Sequence, residues 1–169
     1  MAGDNGSSDP SAESVDFALV AYREEGVWQV EEIDDDLTAD LDELAVELRR
    51  YPGDGGSLGL VSVDEDFFVL VRVLGSETRL LLSDVTAATD WPIARSVVDH
   101  LALPLPDDEE DQEPAGDLGI VADLGMGPMD MGALLDDVDL YPDEMLSDIA
   151  RRLGFGRQYD ELVGVSTTL

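Results

Sequence analysis

The sequence predicts an α+β fold. It consists of an antiparallel sheet of about five strands in ββαβββ order with helices on one face, then a C-terminal helical segment beyond an acidic linker. Three observations predict it. Val15, Phe17, Leu19 and Ala21 alternate with their neighbours at the two-residue period of a half-buried strand. Leu37, Leu41, Leu44, Leu48 and Tyr51 recur at spacings of four, three, four and three, which draws one apolar stripe along a helix. Three apolar runs, Leu58 to Val63, Phe67 to Leu74 and Arg79 to Ser83, are separated by Asp64-Glu65-Asp66 and Gly75-Ser76-Glu77, which are of turn length.

In chain order, Arg23-Glu24-Glu25-Gly26 is a short polar connection, and Val27, Trp28 and Val30 begin the returning strand of a hairpin. In the helix that follows, Thr38 is the expected N-cap. Asp40, Asp42 and Glu43 stand in the first turns and Arg49 and Arg50 in the last, the polarity that suits the helix dipole. Tyr51-Pro52-Gly53 ends it, since proline cannot continue the ladder and glycine accepts a left-handed turn. The three apolar runs form an antiparallel meander. Asp84 or Ser83 caps a short helix through Thr89, and Pro92 opens another that runs to about Leu101. Far along the chain, Pro142-Asp143-Glu144 opens a helix with buried stripe Met145, Leu146, Ile149 and Leu153. Arg151 and Arg152 fill its last turn and Gly154 stops it.

Charge divides the 169 residues further. Residues 1–14 are a Gly-, Ser- and Asp-rich tail and 15–101 the α+β domain. Residues 102–117 carry seven acids, three prolines and no base, a self-repelling extended linker. Residues 118–163 form the helical segment and 164–169 a second tail. The helical segment is too short to bury a stable core alone, so it is expected to dock on the sheet or on a partner.

The composition excludes several function classes. Forty acids face nine bases, every base is Arg, and the formal net charge is −31. With no Cys, no Lys and His100 as the lone histidine, the chain has no thiolate metal site, nucleophilic Cys, Schiff-base Lys or phosphate-loop Lys. So negative a surface argues against direct nucleic-acid binding, which requires basic residues to displace counterions from phosphates. No apolar run approaches the length needed to span a bilayer, and residues 1–14 lack the basic and apolar regions of a signal peptide. The expected location is therefore cytoplasmic. Asp34-Asp35-Asp36 fails as a calcium loop, because Ala39 stands where glycine is needed and Ala45 where the bidentate Glu belongs. Gly53 to Gly59 precedes a strand, the wrong order for a phosphate cradle. Ser57, Ser62, Ser83 and Ser96 lack a credible base. No catalytic residue, metal site or cofactor is expected.

Binding remains. Trp28, Trp91, Tyr141, Asp143, Glu144 and Phe155 are the candidate partner-binding residues, since aromatics concentrate interface energy. Met126, Met129, Met131 and Met145 stand among glycines and offer adaptable packing or a compliant groove.

Two segments carry a resemblance. Leu82-Ser83-Asp84-Val85-Thr86-Ala87-Ala88-Thr89-Asp90-Trp91-Pro92 and the stretch Asp139 to Gly156, DLYPDEMLSDIARRLGFG, resemble the signature segments of the actinobacterial tRNA adenosine deaminase-associated protein family. The resemblance covers roughly residues 15–163. It implies a non-catalytic accessory or regulatory protein whose partner is a tRNA adenosine deaminase or another basic protein, met through the acidic surface. The alternative is a general acidic protein, a nucleic-acid mimic or chaperone-like binder unrelated to the deaminase. The chain is not itself the deaminase: a zinc nucleobase deaminase requires His-x-Glu and Pro-Cys-x-x-Cys, and here the single histidine reads His100-Leu101-Ala102.

Overall fold

The computed structural model describes residues 15–34, 37–38, 40–51, 53, 56–104, 113–137 and 139–163. The expected tails and the centre of the acidic linker lie outside the described residues. The elements in order are β1 (Val15–Glu24), β2 (Val27–Glu32), α1 (Leu41–Leu48), β3 (Ser57–Val63), β4 (Phe67–Leu74), β5 (Glu77–Leu82), a helical turn Val85–Thr89 and α2 (Pro92–His100). After these come β6 (Ala115–Gly116), a helical turn Ala122–Leu124, α3 (Pro128–Leu135), α4 (Pro142–Leu153) and α5 (Gly156–Val163). The fold is α+β, with one antiparallel sheet ordered β2-β1-β3-β4-β5-β6.

Local chemistry explains most boundaries. The β1–β2 hairpin closes on Glu24 opposite Val27, and Glu25 and Gly26 both take positive φ, 53° and 82°. That is the mirror-image two-residue turn whose twist matches the strands. α1 starts later than expected: the cap is Asp40, whose carboxylate accepts the Asp42 N–H at 2.8 Å. Thr38 is instead buried in a preceding turn closed by Leu37 N–H to the Asp34 carbonyl. At the other end Ser57 donates to the Leu48 carbonyl at 2.6 Å and Arg49 reaches the Thr78 hydroxyl at 2.9 Å, so the helix end is tied to β3 and β5.

The sixth strand comes from the end of the acidic stretch. Ala115 and Gly116 pair with Leu82 and Leu81, and the Asp117 N–H continues to the Leu80 carbonyl at 2.8 Å. Gly116 sits at φ 114°, where an added Cβ would lie 2.3 Å from the Leu80 carbonyl oxygen, so this edge pairing requires glycine.

β3 is buried at every residue and β4 at every residue except Leu74. Strands buried at consecutive positions have both faces covered. One face, with Val20, Val61, Val69, Val71, Leu80 and Leu82, packs on α1 and α2. The other, with Leu19, Leu60, Phe68, Leu70 and Leu81, packs on Ile120, Met126, Met131, Leu146, Ile149 and Leu153 of the C-terminal segment. The two helices of the first region lie on one face as expected, and the C-terminal helices close the other.

Two side chains pin that second layer. Trp28 of β2 donates its indole N–H to the Leu153 carbonyl at 2.9 Å and stacks obliquely on Phe155, ring centres 4.8 Å apart. Arg72 of β4 is 2% exposed, donates to the Ile120 carbonyl at 3.0 Å, and grips the Asp123 carboxylate with both terminal nitrogens. That hydrogen bonding holds the Asp123 carboxyl below the usual range. The pair is asymmetric, because Asp123 is 58% exposed while the guanidinium is enclosed.

Two outcomes follow from this asymmetry and from the doubly covered sheet. Asp123→Ala strands a buried cation and should destabilise the fold by about 3 kcal/mol, whereas Arg72→Met, which removes the charge along with its burial, should cost much less. Chemical denaturation of both variants checks the order. A chain ending at residue 117 exposes one apolar sheet face and should aggregate or bind a hydrophobic dye, read by light scattering and fluorescence.

Candidate functional site

The end of the sheet where β3 turns into β4 meets the start of α4 at a cleft of about 260 Å³. Its carboxylates are Asp66, Asp84, Glu113, Asp136 and Asp137, and its apolar wall is Pro114, Leu135, Leu140, Pro142 and Met145. Each arrives by a different route. Asp66 closes the β3–β4 turn, donating its N–H to the Val63 carbonyl at 2.9 Å. In that turn Asp64 and Glu65 both hold positive φ, 55° and 52°, without a glycine, and the Asp16 carboxylate secures the Glu65 N–H at 2.8 Å. Positive φ in two consecutive acidic residues is strained backbone next to the cleft.

Asp84 caps the turn that follows β5, accepting from the Thr86 N–H at 2.9 Å and the Thr86 hydroxyl at 2.6 Å. Glu113 is held by its carbonyl, which accepts the Val85 N–H at 2.8 Å. Asp136 and Asp137 end α3, and Pro142 and Met145 begin α4, whose first turn is set by Glu144 accepting the Tyr141 N–H at 2.9 Å. Both signature segments therefore line one cleft: Ser83 and Asp84 from the first, Leu140, Pro142 and Met145 from the second.

The electrostatics point one way. Burial lifts the Asp66 carboxyl above its ordinary 3.8, and the neighbouring Asp84, Asp64 and Asp90 charges add to the lift. A second groove of about 590 Å³ between α3 and α4 shares Asp137 and Leu140 with the cleft and adds Asp130, Glu144 and Asp148. Arg151 and Arg152 also line it, but both are paired with Asp148, at 2.7 and 2.9 Å. Carboxylates thus crowd both concavities over a shared apolar wall.

The Ser83 hydroxyl accepts the Phe68 N–H at 2.9 Å, and His100 borders a separate concavity with Asp40, Ser96 and Asp99. Among the described residues, no three of His, Asp and Glu converge to hold a metal ion, and no helix is long and apolar enough to cross a membrane.

The six expected partner-binding residues are dispersed. Trp28 and Phe155 are buried against each other in the second core. Trp91 is half-buried, its ring 6.1 Å from that of Phe67 on the opposite face of the sheet. Asp143 lends its carbonyl to the Tyr159 hydroxyl at 2.7 Å, and Glu144 is engaged at the helix start. Tyr141, 60% exposed, is the one large aromatic standing out from the α4 end near the cleft. Of the methionines, Met126 and Met131 fill the second core, Met145 lines the cleft and Met129 is exposed. Asp66, Asp136 and Asp137 were not distinguishable by sequence from the other acids, and Asp84 was legible only as a helix cap. Three turns and a helix end from distant parts of the chain bring them together.

Between the ordinary carboxyl range and its raised value, Asp66 binds its proton more tightly folded than unfolded, so stability rises as pH falls through that interval. At neutral pH the charge is a net cost. Asp66→Asn should therefore raise the melting temperature at pH 7 and lose its advantage as the medium is acidified toward pH 4, measured by paired thermal melts.

Comparisons with known proteins identify the family. The profile of the Rv3753c-like tRNA adenosine deaminase-associated protein family matches residues 16–156, from β1 to the start of α5. Protein Rv3753c of Mycobacterium tuberculosis (strain ATCC 25618 / H37Rv) is 42% identical over 158 residues, spanning 91% of this chain and 91% of its own length. No solved structure matches. Because the match runs through the sheet, both helical layers and both segments that meet at the cleft, the chain belongs to the Rv3753c-like tRNA adenosine deaminase-associated protein family.

Proposed function

We propose that this protein is a non-catalytic accessory factor that docks on a basic tRNA-modifying enzyme, the tRNA adenosine deaminase of the family's description, through the acidic cleft. The observation that carries the reading is the cleft itself. Five carboxylates surround an apolar wall where the two family segments meet, in a chain of net charge −31. An enzyme that handles tRNA presents a basic surface to phosphates, and an anionic partner is steered to that surface by complementarity. A protein seated there would compete with tRNA for the same cations, so the accessory role is regulatory: it holds the enzyme until tRNA displaces it.

Purified protein and deaminase from the same organism should form a complex by calorimetry. Its affinity should fall as sodium chloride rises, because screening sets in over about 8 Å at physiological ionic strength. The triple variant Glu113→Gln/Asp136→Asn/Asp137→Asn, which leaves the Asp84 cap intact, should weaken binding about tenfold or more, roughly 1.4 kcal/mol. Added tRNA should release the enzyme. Binding that ignores both salt and the three substitutions, or no complex at all, would sink the proposal.

A further inference from the structure

The sheet treats its two edges differently. At the β5 edge the chain covers itself: Ala115 and Gly116 pair with Leu82 and Leu81, and Asp117 extends the contact to Leu80. At the opposite edge β2 has β1 on one side and, among the described residues, no strand on the other. The hairpin closes on Glu24 and Val27, so Val27, Gln29 and Glu31 direct their backbone N–H and C=O toward β1, and Ile33 continues the phase by donating to the Ala18 carbonyl at 2.8 Å. Trp28, Val30 and Glu32 must then direct theirs outward. One outward group confirms the phase: the Trp28 carbonyl accepts the Gln158 side-chain amide at 3.2 Å. The outward backbone groups of Val30 and Glu32 meet no partner among the described residues.

An open edge is a template for one more strand. Charge selects which strand. Glu25, Glu31, Glu32 and Asp34 are exposed along or beside β2, and the Tyr22 hydroxyl fixes the Glu31 carboxylate at 2.7 Å. A second copy of this chain would bring −31 against −31. We infer that the β2 edge accepts an extended, lysine- or arginine-bearing segment of another protein as a seventh strand, with backbone hydrogen bonds to Val30 and Glu32 and cationic side chains beside Glu31 and Glu32. This surface is separate from the cleft and does not depend on the function assigned to it.

The probe is an acetylated, amidated peptide of alternating lysine and valine, added to the full chain. Nuclear magnetic resonance should show shifts and slowed amide exchange at Trp28, Val30 and Glu32. The same peptide N-methylated throughout keeps its charge but has no backbone donors, and should bind at least tenfold more weakly. Val30→Pro removes an outward N–H without breaking a bond to β1, so it should abolish peptide binding while the fold persists. If that variant fails to fold, the methylated peptide still decides, because it leaves the protein unaltered. Equal binding of both peptides would reduce the effect to bulk charge and overturn the inference. So would shifts confined to the cleft, or a dimer with Val30 protected before any peptide is added. Loss of deaminase binding in the cleft variants would leave this readout unchanged, so the two readings fail separately.

Discussion

The structure depends on one constraint: the central strands are apolar on both faces. β3 and β4 together place fourteen consecutive-strand positions out of solvent, with Leu74 the exception. A sheet with two apolar faces needs two covering layers. At roughly 25 cal/mol per Å² of apolar surface removed from water, neither face can be left wet in a domain of ordinary marginal stability. The C-terminal segment is therefore a structural layer on the face opposite α1 and α2, preceded by the end of the acidic stretch. The last residues of that stretch join the sheet as β6.

Arg72 gives that second layer its register. An apolar interface alone tolerates sliding, since Leu and Met pack in many ways. An enclosed guanidinium tolerates few positions, because its donors must all be met. Here the Ile120 carbonyl and the Asp123 carboxylate meet several of them. Trp28, which lines the same small pocket as Arg72, does the same through its bond to the Leu153 carbonyl. The cleft lies at the opposite end of the sheet, where the position of α3 and α4 relative to the β3–β4 turn sets how closely Asp136 and Asp137 approach Asp66.

The excess of negative charge is placed in two different ways. The helices whose dipoles most favour acids take them at their N-termini: Asp42 and Glu43 in α1, Asp143 and Glu144 in α4. The cleft carboxylates are different. They sit at turns and at the C-terminal end of α3, where a negative charge opposes the dipole, and one of them is driven upward in pKa by burial and like charge. Such crowding lowers stability at neutral pH.

Much of the architecture was legible in the chain. The hairpin, the meander, the Asp84 cap, the Pro92 and Pro142 helix starts and the Gly154 stop all follow from short-range rules, because each is decided by residues within one turn of each other. The N-cap of α1 was misplaced at Thr38 because burial of that side chain outweighed its capping preference. Arg72 was legible in principle, as a lone charge inside the apolar run Phe67–Leu74, but its partner Asp123 is fifty-one residues away and nothing local names it. The sorting of Trp28 and Phe155 into the core, the closure of the β5 edge by β6, and the meeting of five acids at one cleft belong to the tertiary structure alone. Periodicity reports which face of an element is apolar; only the assembled layers determine what that face touches, and hence which of forty equivalent carboxylates become neighbours.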